Sequence, residues 1–333
     1  MRVRIQRIAA IAAGALLLYA APASLAQSPD KKAHIGILVG GSQAQRGHLE
    51  RALLQGLREQ GYIEGKNLVL ERRYADGSAD KVPELARELA AMKLDAVVTT
   101  CTPSTRAAKQ ATGSTPIVMA AVADPVGQSL IASLARPGAN VTGLSSQAED
   151  IMPKMLELFA SVLPRPMTVA VLTEARSDVH PRMWQALGPI AQTLNIKLVR
   201  INVGRPPEAQ LPAAFETAVR EKAGAIFVLP DEPMFLSWRA EIVALAAKHR
   251  LPAFYGAREF VDDGGLMSYG ENLRTAYRNA ASYVSKLAQG ANPGDTPVAQ
   301  PTQFELVINS KTAKALGITI PQSVLLRANE VIN

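Results

Sequence analysis

The residues best suited to hold a small molecule sit in loops that follow short apolar runs. Gly40-Gly41-Ser42 lets backbone approach a ligand closely, and a helix start behind it offers free N–H groups to an anion. A plain cap by Ser42 explains the same residues equally well. Thr100 to Thr105 (TCTPST) combines hydroxyls at Thr102 and Ser104 with Pro103, which suits a first helical turn behind a Thr102 cap. Hydroxyls at a positive helix end favour a carboxylate. Asp124, before Pro125, either caps a helix or holds a ligand ammonium group. Ser145 and Ser146 sit where the chain is expected to cross between two halves, Asp231 ends an apolar run, and Phe254 and Tyr255 offer an aromatic wall. Ser146, Asp231 and Tyr255 join Ser42, Thr102, Ser104 and Asp124 as candidate contacts. This chemistry is non-covalent capture of a molecule with an acidic and a donor end.

Signatures of turnover are missing. The sequence has no Gly-x-Gly-x-x-Gly and no Gly-x-Ser-x-Gly. Gly61 to Lys66 (GYIEGK) imitates a phosphate loop but is one residue short and is followed by Asn67. The four histidines, His34, His48, His180 and His249, lack metal-ligand spacing. Cys101 is the single cysteine, which excludes an internal disulfide, and no histidine lies near it in sequence to activate the thiol. No cofactor, metal or catalysis is expected.

The elements that carry these loops alternate. Apolar runs at 34–40, 95–100, 116–122, 168–173 and 225–231 are separated by stretches with helical spacing, such as Leu49, Leu53 and Leu57 in 43–60. Helices are also expected over 125–134, 233–249 and 272–289. Strands alternating with helices imply right-handed βαβ units and parallel sheets. The length exceeds one comfortable core. The expected fold is α/β, with two doubly wound, flavodoxin-like lobes and a ligand cleft between them. One lobe takes 33–144 plus about 271–300, the other 145–270 plus about 301–333. Ligands in such sheets bind beyond the carboxyl ends of the strands, where the candidate residues lie.

The first residues address the chain. Arg2, Arg4 and Arg7 precede the apolar run Ile8 to Ala21, whose 14 residues fall short of the about 20 that span a bilayer. Ser24-Leu25-Ala26 then reads as a cleavage site, so 1–26 is an expected signal peptide and the product a soluble periplasmic protein without a lipid anchor. Cutting there removes three arginines and lowers the formal charge from +7 to +4. The remaining charges are interspersed, which argues against a nucleic-acid partner.

Several blocks in order resemble the ABC transporter substrate-binding protein family that includes tryptophan- and phenylalanine-binding members. They are Gln55 to Leu68 (QGLREQGYIEGKNL), Ala123 to Leu130 (ADPVGQSL), Leu134 to Gly143 (LARPGANVTG), Ala246 to Pro252 (AAKHRLP), Arg258 to Gly270 (REFVDDGGLMSYG) and Gln300 to Gly317 (QPTQFELVINSKTAKALG). The resemblance implies a type I periplasmic binding fold and delivery of ligand to a membrane permease and ATPase without chemistry on it; the protein is expected to be a monomer. It maps Thr102 onto the Thr of the family's Gly-Thr-Pro loop and Asp124 onto its Asp-Pro-Val segment. Cys101 replaces the usual glycine, and Thr173-Glu174-Ala175 the usual Asn-Pro. A ligand sensor docking on a membrane receptor, and a periplasmic α/β enzyme, are the competing expectations.

Overall fold

The structure, a computed structural model, describes residues 32–164, 167–204, 207–230 and 234–333. The expected signal peptide and Asp231 lie outside the described residues.

The first sheet contains β1 (Ala33–Val39), β2 (Leu68–Tyr74), β3 (Ala96–Thr99), β4 (Ile117–Ala123) and β5 (Val141–Ser146), all parallel, in the order β2-β1-β3-β4-β5. This is the doubly wound order of flavodoxin-like sheets. Strands covered on both faces need no polar alternation, and β3 is accordingly buried at every position. The helices α1 (Gln43–Glu59), α2 (Val82–Ala90) and α3 (Thr102–Thr112) connect these strands.

Past β5 the chain enters a second sheet through α4 (Met152–Ala160). There β6 (Met167–Glu174), β7 (Ile196–Val203), β8 (Ala225–Val228), β9 (Ala253–Tyr255) and β10 (Met267–Gly270) repeat the same winding. Their helices are α5 (His180–Thr193), α6 (Pro207–Arg220), α7 (Met234–Ser237), α8 (Arg239–Lys248) and α9 (Arg258–Asp262). From β10 the chain returns to the first lobe as α10 (Leu273–Ala288), which packs along α1. The approach is close enough that a Cβ on Gly56 would stand 2.2 Å from the carbonyl oxygen of Arg278. The last segment crosses again and adds β11 (Glu305–Asn309), α11 (Ser310–Leu316), α12 (Gln322–Leu325) and β12 (Glu330–Ile332), giving the order β12-β11-β10-β9-β8-β6-β7.

Three expectations are corrected. Residues 125–134 form turns, not a helix: Asp124 and Ser129 take left-handed φ of 43° and 55°, and the Asp124 carboxylate accepts from the Gly127 N–H at 2.9 Å. Repeated left-handed residues cannot propagate a right-handed helix. The helix expected over 233–249 breaks at Trp238 into α7 and α8. The second sheet is not wholly parallel, because β11 returns from the first lobe and pairs antiparallel with β10.

Apolar packing has three parts. One cluster lies under α2 and α3, and a second under α4, α5 and β11, centred on the stacked rings of Phe227 and Phe254. The third joins the lobes, running from Leu49, Leu53 and Leu57 through Phe235 and Leu236 to Val228 and Tyr255.

Candidate functional site

The carboxyl ends of β3, β4 and β5 face those of β8, β9 and β10 across a cleft. Its walls are mostly apolar: Ala121, Ala123, Ile151, Met183, Leu229 and Phe260 contribute. Glycines bring the far wall together. A Cβ on Gly270 would stand 1.9 Å from the oxygen of Gly256, and one on Gly256 would stand 2.4 Å from Cγ of Pro230. The ends of β9 and β10 can therefore converge only without side chains there.

Polar groups are few. Cys101 and Thr102 begin α3, so the positive end of an 11-residue helix opens onto the cleft. The structural cap is Cys101, one residue before the expected Thr102. Thr102 is nearly buried, and its hydroxyl donates to the Ala123 carbonyl at 3.3 Å, tying the ends of β3 and β4 together. A hydroxyl that donates inward keeps its lone pairs for a ligand donor. Ser146 at the end of β5, Gln147 on the crossover that follows it, and Glu271 on the crossover after β10 complete the polar lining.

The other candidates stand elsewhere. The Ser104 hydroxyl is fully buried beneath the loop, where it accepts from the N–H groups of Thr100 and Cys101 at 3.2 and 3.1 Å. Ser42 and Gln45 form a reciprocal capping box at the start of α1. Tyr255 is fully buried behind Phe260, with ring centroids 4.5 Å apart, and is not part of the cleft wall. Asp124 lies at the rim, paired with Arg182 of α5 on the opposite lobe.

That ion pair belongs to a row. Arg106 reaches Asp178 at 2.5 Å and Arg176 reaches Asp80 at 3.0 Å, each bridging the lobes on the same rim. On the opposite side His48 contacts the buried carboxylate of Glu259 at 3.3 Å. The lobes are thus held shut over the cleft from both sides. Arg182→Ala and Asp124→Ala are both expected to weaken ligand binding about threefold at low salt by favouring an open form, and by less as salt screens the pair. Calorimetric titration of both variants and the double variant checks this. An Asp124 that instead held a ligand ammonium would make Asp124→Ala costly and Arg182→Ala silent.

Glu149, on the crossover after β5, is half-buried with one carboxylate oxygen unpartnered among the described residues. Burial, reinforced by the nearby charges of Asp124 and Asp150, raises its pKa above the ordinary value. A raised folded pKa contributes stability that is present at acid pH and lost as pH rises through that value. Glu149→Gln should therefore raise the melting temperature at pH 7.5, with the gain vanishing below about pH 4.5. An equal gain at both pH values would show that the carboxylate charge is not the cause.

Sequence reasoning did not find Ile151, Met183, Phe260 or Phe304 of the cleft wall. Apolar residues on helices read as core, and no local signal separates the two uses. Nor did it find Arg182, because an ion-pair partner across a cleft leaves no spacing signal. Among the described residues, no group of three or more His, Cys, Asp or Glu could hold a metal, and no helix is long and apolar enough to cross a membrane.

Two doubly wound lobes with the cleft between their strand ends define the type I periplasmic binding protein fold. The chain belongs to the ABC transporter substrate-binding protein family, whose sequence model matches residues 35–332. A curated relative, a tyrosine-binding protein of Clostridioides difficile, is 26% identical over 81% of this chain and 76% of its own length. The crystal structure of a conserved domain protein from Vibrio cholerae is 31% identical, covers 90% of this chain and 99% of its own, and superposes with a TM-score of 0.80. A domain from Streptococcus pneumoniae in complex with L-Trp is 28% identical, covers 91% of this chain and 100% of its own, and gives 0.81.

Proposed function

We propose that this protein is the periplasmic solute-binding component of an ABC importer, exported on the segment 1–26, which captures an amino-acid-like or aromatic carboxylate and delivers it to a membrane permease and ATPase. The observation that carries this reading is the cleft itself. A helix N-terminus with Cys101 and Thr102 faces apolar walls from the other lobe, which suits a ligand with a carboxylate at one end and an apolar body at the other. The tyrosine-binding relative and the L-Trp complex support this ligand class.

In this reading the lobes comprise 33–144 with about 271–300, and 145–270 with about 301–333. Thr102 and Ser146 contact ligand directly. Ser104 and Ser42 hold the helix starts beside the cleft, Asp124 secures the closed rim, and Tyr255 backs the far wall. The protein works as a monomer and leaves its ligand chemically unchanged.

The test is purification under native conditions, with mass spectrometry of the small molecules released on denaturation, followed by calorimetric titration with L-tryptophan, L-tyrosine and L-phenylalanine. An unchanged carboxylate with an apolar body is the expected release. Failure to release or bind any such acid, or recovery of a converted product, would overturn the reading.

A further inference from the structure

The chain passes from β10 to α10 through Glu271 and Asn272, and both ends of this crossover are fixed. Gly270 ahead of it lies against Gly256, in contact too close for a side chain on either strand end. Asn272 behind it caps α10: its side-chain oxygen accepts the Thr275 N–H at 2.9 Å, and its amide donates to Glu305 at 2.8 Å. Glu271 is held between these two anchors, half-buried, and lines the cleft. A residue on a crossover so constrained presents its side chain to the cleft in a narrow range of positions.

The charge inventory of the cleft is lopsided. Among the described residues that line it, Glu271 alone carries a charged side chain, and no Lys, Arg or His joins it. Asp124, the other acid near the cleft, is taken up at the rim by Arg182. A ligand that fills a mostly apolar cleft displaces water from the carboxylate it meets there, and a carboxylate desolvated against an apolar body is costly. An ammonium group returns a charge-assisted hydrogen bond for that water. A second carboxylate brings only repulsion, and its favourable place is the positive end of α3, at Cys101 and Thr102 on the same cleft.

We propose that Glu271 is the residue that sets ligand specificity, by holding an ammonium group. The ligand is then a zwitterion, an amino acid with an apolar side chain, and an aromatic acid that lacks the amine is rejected. The assignment rests on the reading of the cleft given under Proposed function and narrows it to one of its two ligand kinds. It gives Glu271 the role that sequence reasoning offered to Asp124.

The test is calorimetric titration of the full chain with two matched pairs of acids, L-tryptophan with indole-3-propionate and L-tyrosine with desaminotyrosine. Within each pair the α-ammonium is the one difference. The amino acid that binds is expected to do so at least about 30-fold tighter than its amine-free partner. Glu271→Gln should cut that preference below about threefold by weakening the amino acid, with the amine-free acid unmoved or tighter because a like charge has gone. Glu271→Lys should reverse the preference. An amine-free acid that matches its amino acid in the wild type would overturn the proposal, as would a preference that survives Glu271→Gln. So would a Glu271→Gln protein that loses both members of a pair alike and melts lower without ligand, the mark of a residue that only braces the crossover. If no member of either pair binds the wild type, the cleft reading itself fails, and this assignment falls with it.

Discussion

An Ala148→Trp protein is expected to lose at least about 100-fold in affinity for the cleft ligand, about 2.7 kcal/mol, while keeping its fold. Ala148 lies on the crossover after β5 and its methyl group forms part of the cleft wall. An indole there occupies the space that the ligand's apolar body needs, and brings a large aromatic surface onto walls already apolar. Its cost falls on binding, because the unliganded cleft has room that the packed core lacks. Thr102→Ala removes one polar contact and the tie to Ala123, and should cost only about tenfold. Calorimetric titration beside an unliganded melting curve decides it. A dissociation constant unchanged in Ala148→Trp would move the ligand out of this cleft altogether.

The second large effect is acid sensitivity set by one histidine. His180 opens α5 with its ring fully buried and stacked on Phe235 at 5.8 Å. Its Nδ1 accepts the Glu174 N–H at 2.8 Å and its Nε2 donates to the Pro230 carbonyl at 3.2 Å. A protonated ring could not accept at Nδ1. Burial pushes the imidazole from its ordinary 6.5 down to about 4. Between those values the unfolded chain holds the proton and the folded one does not. The contribution is therefore complete above about pH 6.5 and is lost as pH falls toward 4, to the extent of roughly 3 kcal/mol. Urea midpoints across that range should fall steeply in the wild type and less steeply in His180→Phe, which starts lower at pH 7.5. The His180 ring protons should stay fixed in NMR spectra above about pH 5. Movement of those resonances near pH 6.5 would refute the assignment. Pro230 forms part of the cleft wall, so protonation of this ring also removes a contact behind the binding surface.

The fold class was legible because strand and helix periods alternate so regularly that few architectures accommodate them. The site was legible only in outline, for a physical reason. Ser and Thr behind a strand serve helix caps and ligands with the same hydroxyl, and the sequence does not say which. Thr102 opens onto the cleft while Ser104, two residues on, spends its hydroxyl on the loop's own N–H groups. Tyr255 shows the other limit. Successive strand residues point to opposite faces, so Phe254 joins the cluster under α4 while Tyr255 joins the one shared by the lobes. Neither ring reaches the cleft wall, which takes Phe260 from a five-residue helix instead. The returning strand β11 was missed because Glu305–Asn309 follows a loop with no alternating helix before it. The antiparallel pairing is what that topology requires.

The return of α10 to the first lobe has a consequence for the order of assembly. Leu273, Ala276, Tyr277, Ala280 and Val284 bury themselves in the same cluster as Leu49, Leu53 and Leu57. All five strands of the first sheet are complete at Ser146, but the apolar cluster that α1 forms with Ile35, Ile37, Leu68 and Leu70 is not complete until α10 arrives. A chain that emerges from its N-terminus thus begins one lobe, builds most of the other, and only then finishes the first. Until that moment the early half leaves the place of α10 in that apolar cluster unfilled, which is the kind of surface that holdase chaperones grip and that aggregates when unattended. A chain cut anywhere between Ser146 and Leu273 keeps every strand of its first sheet and still lacks the helix that completes the lobe's core.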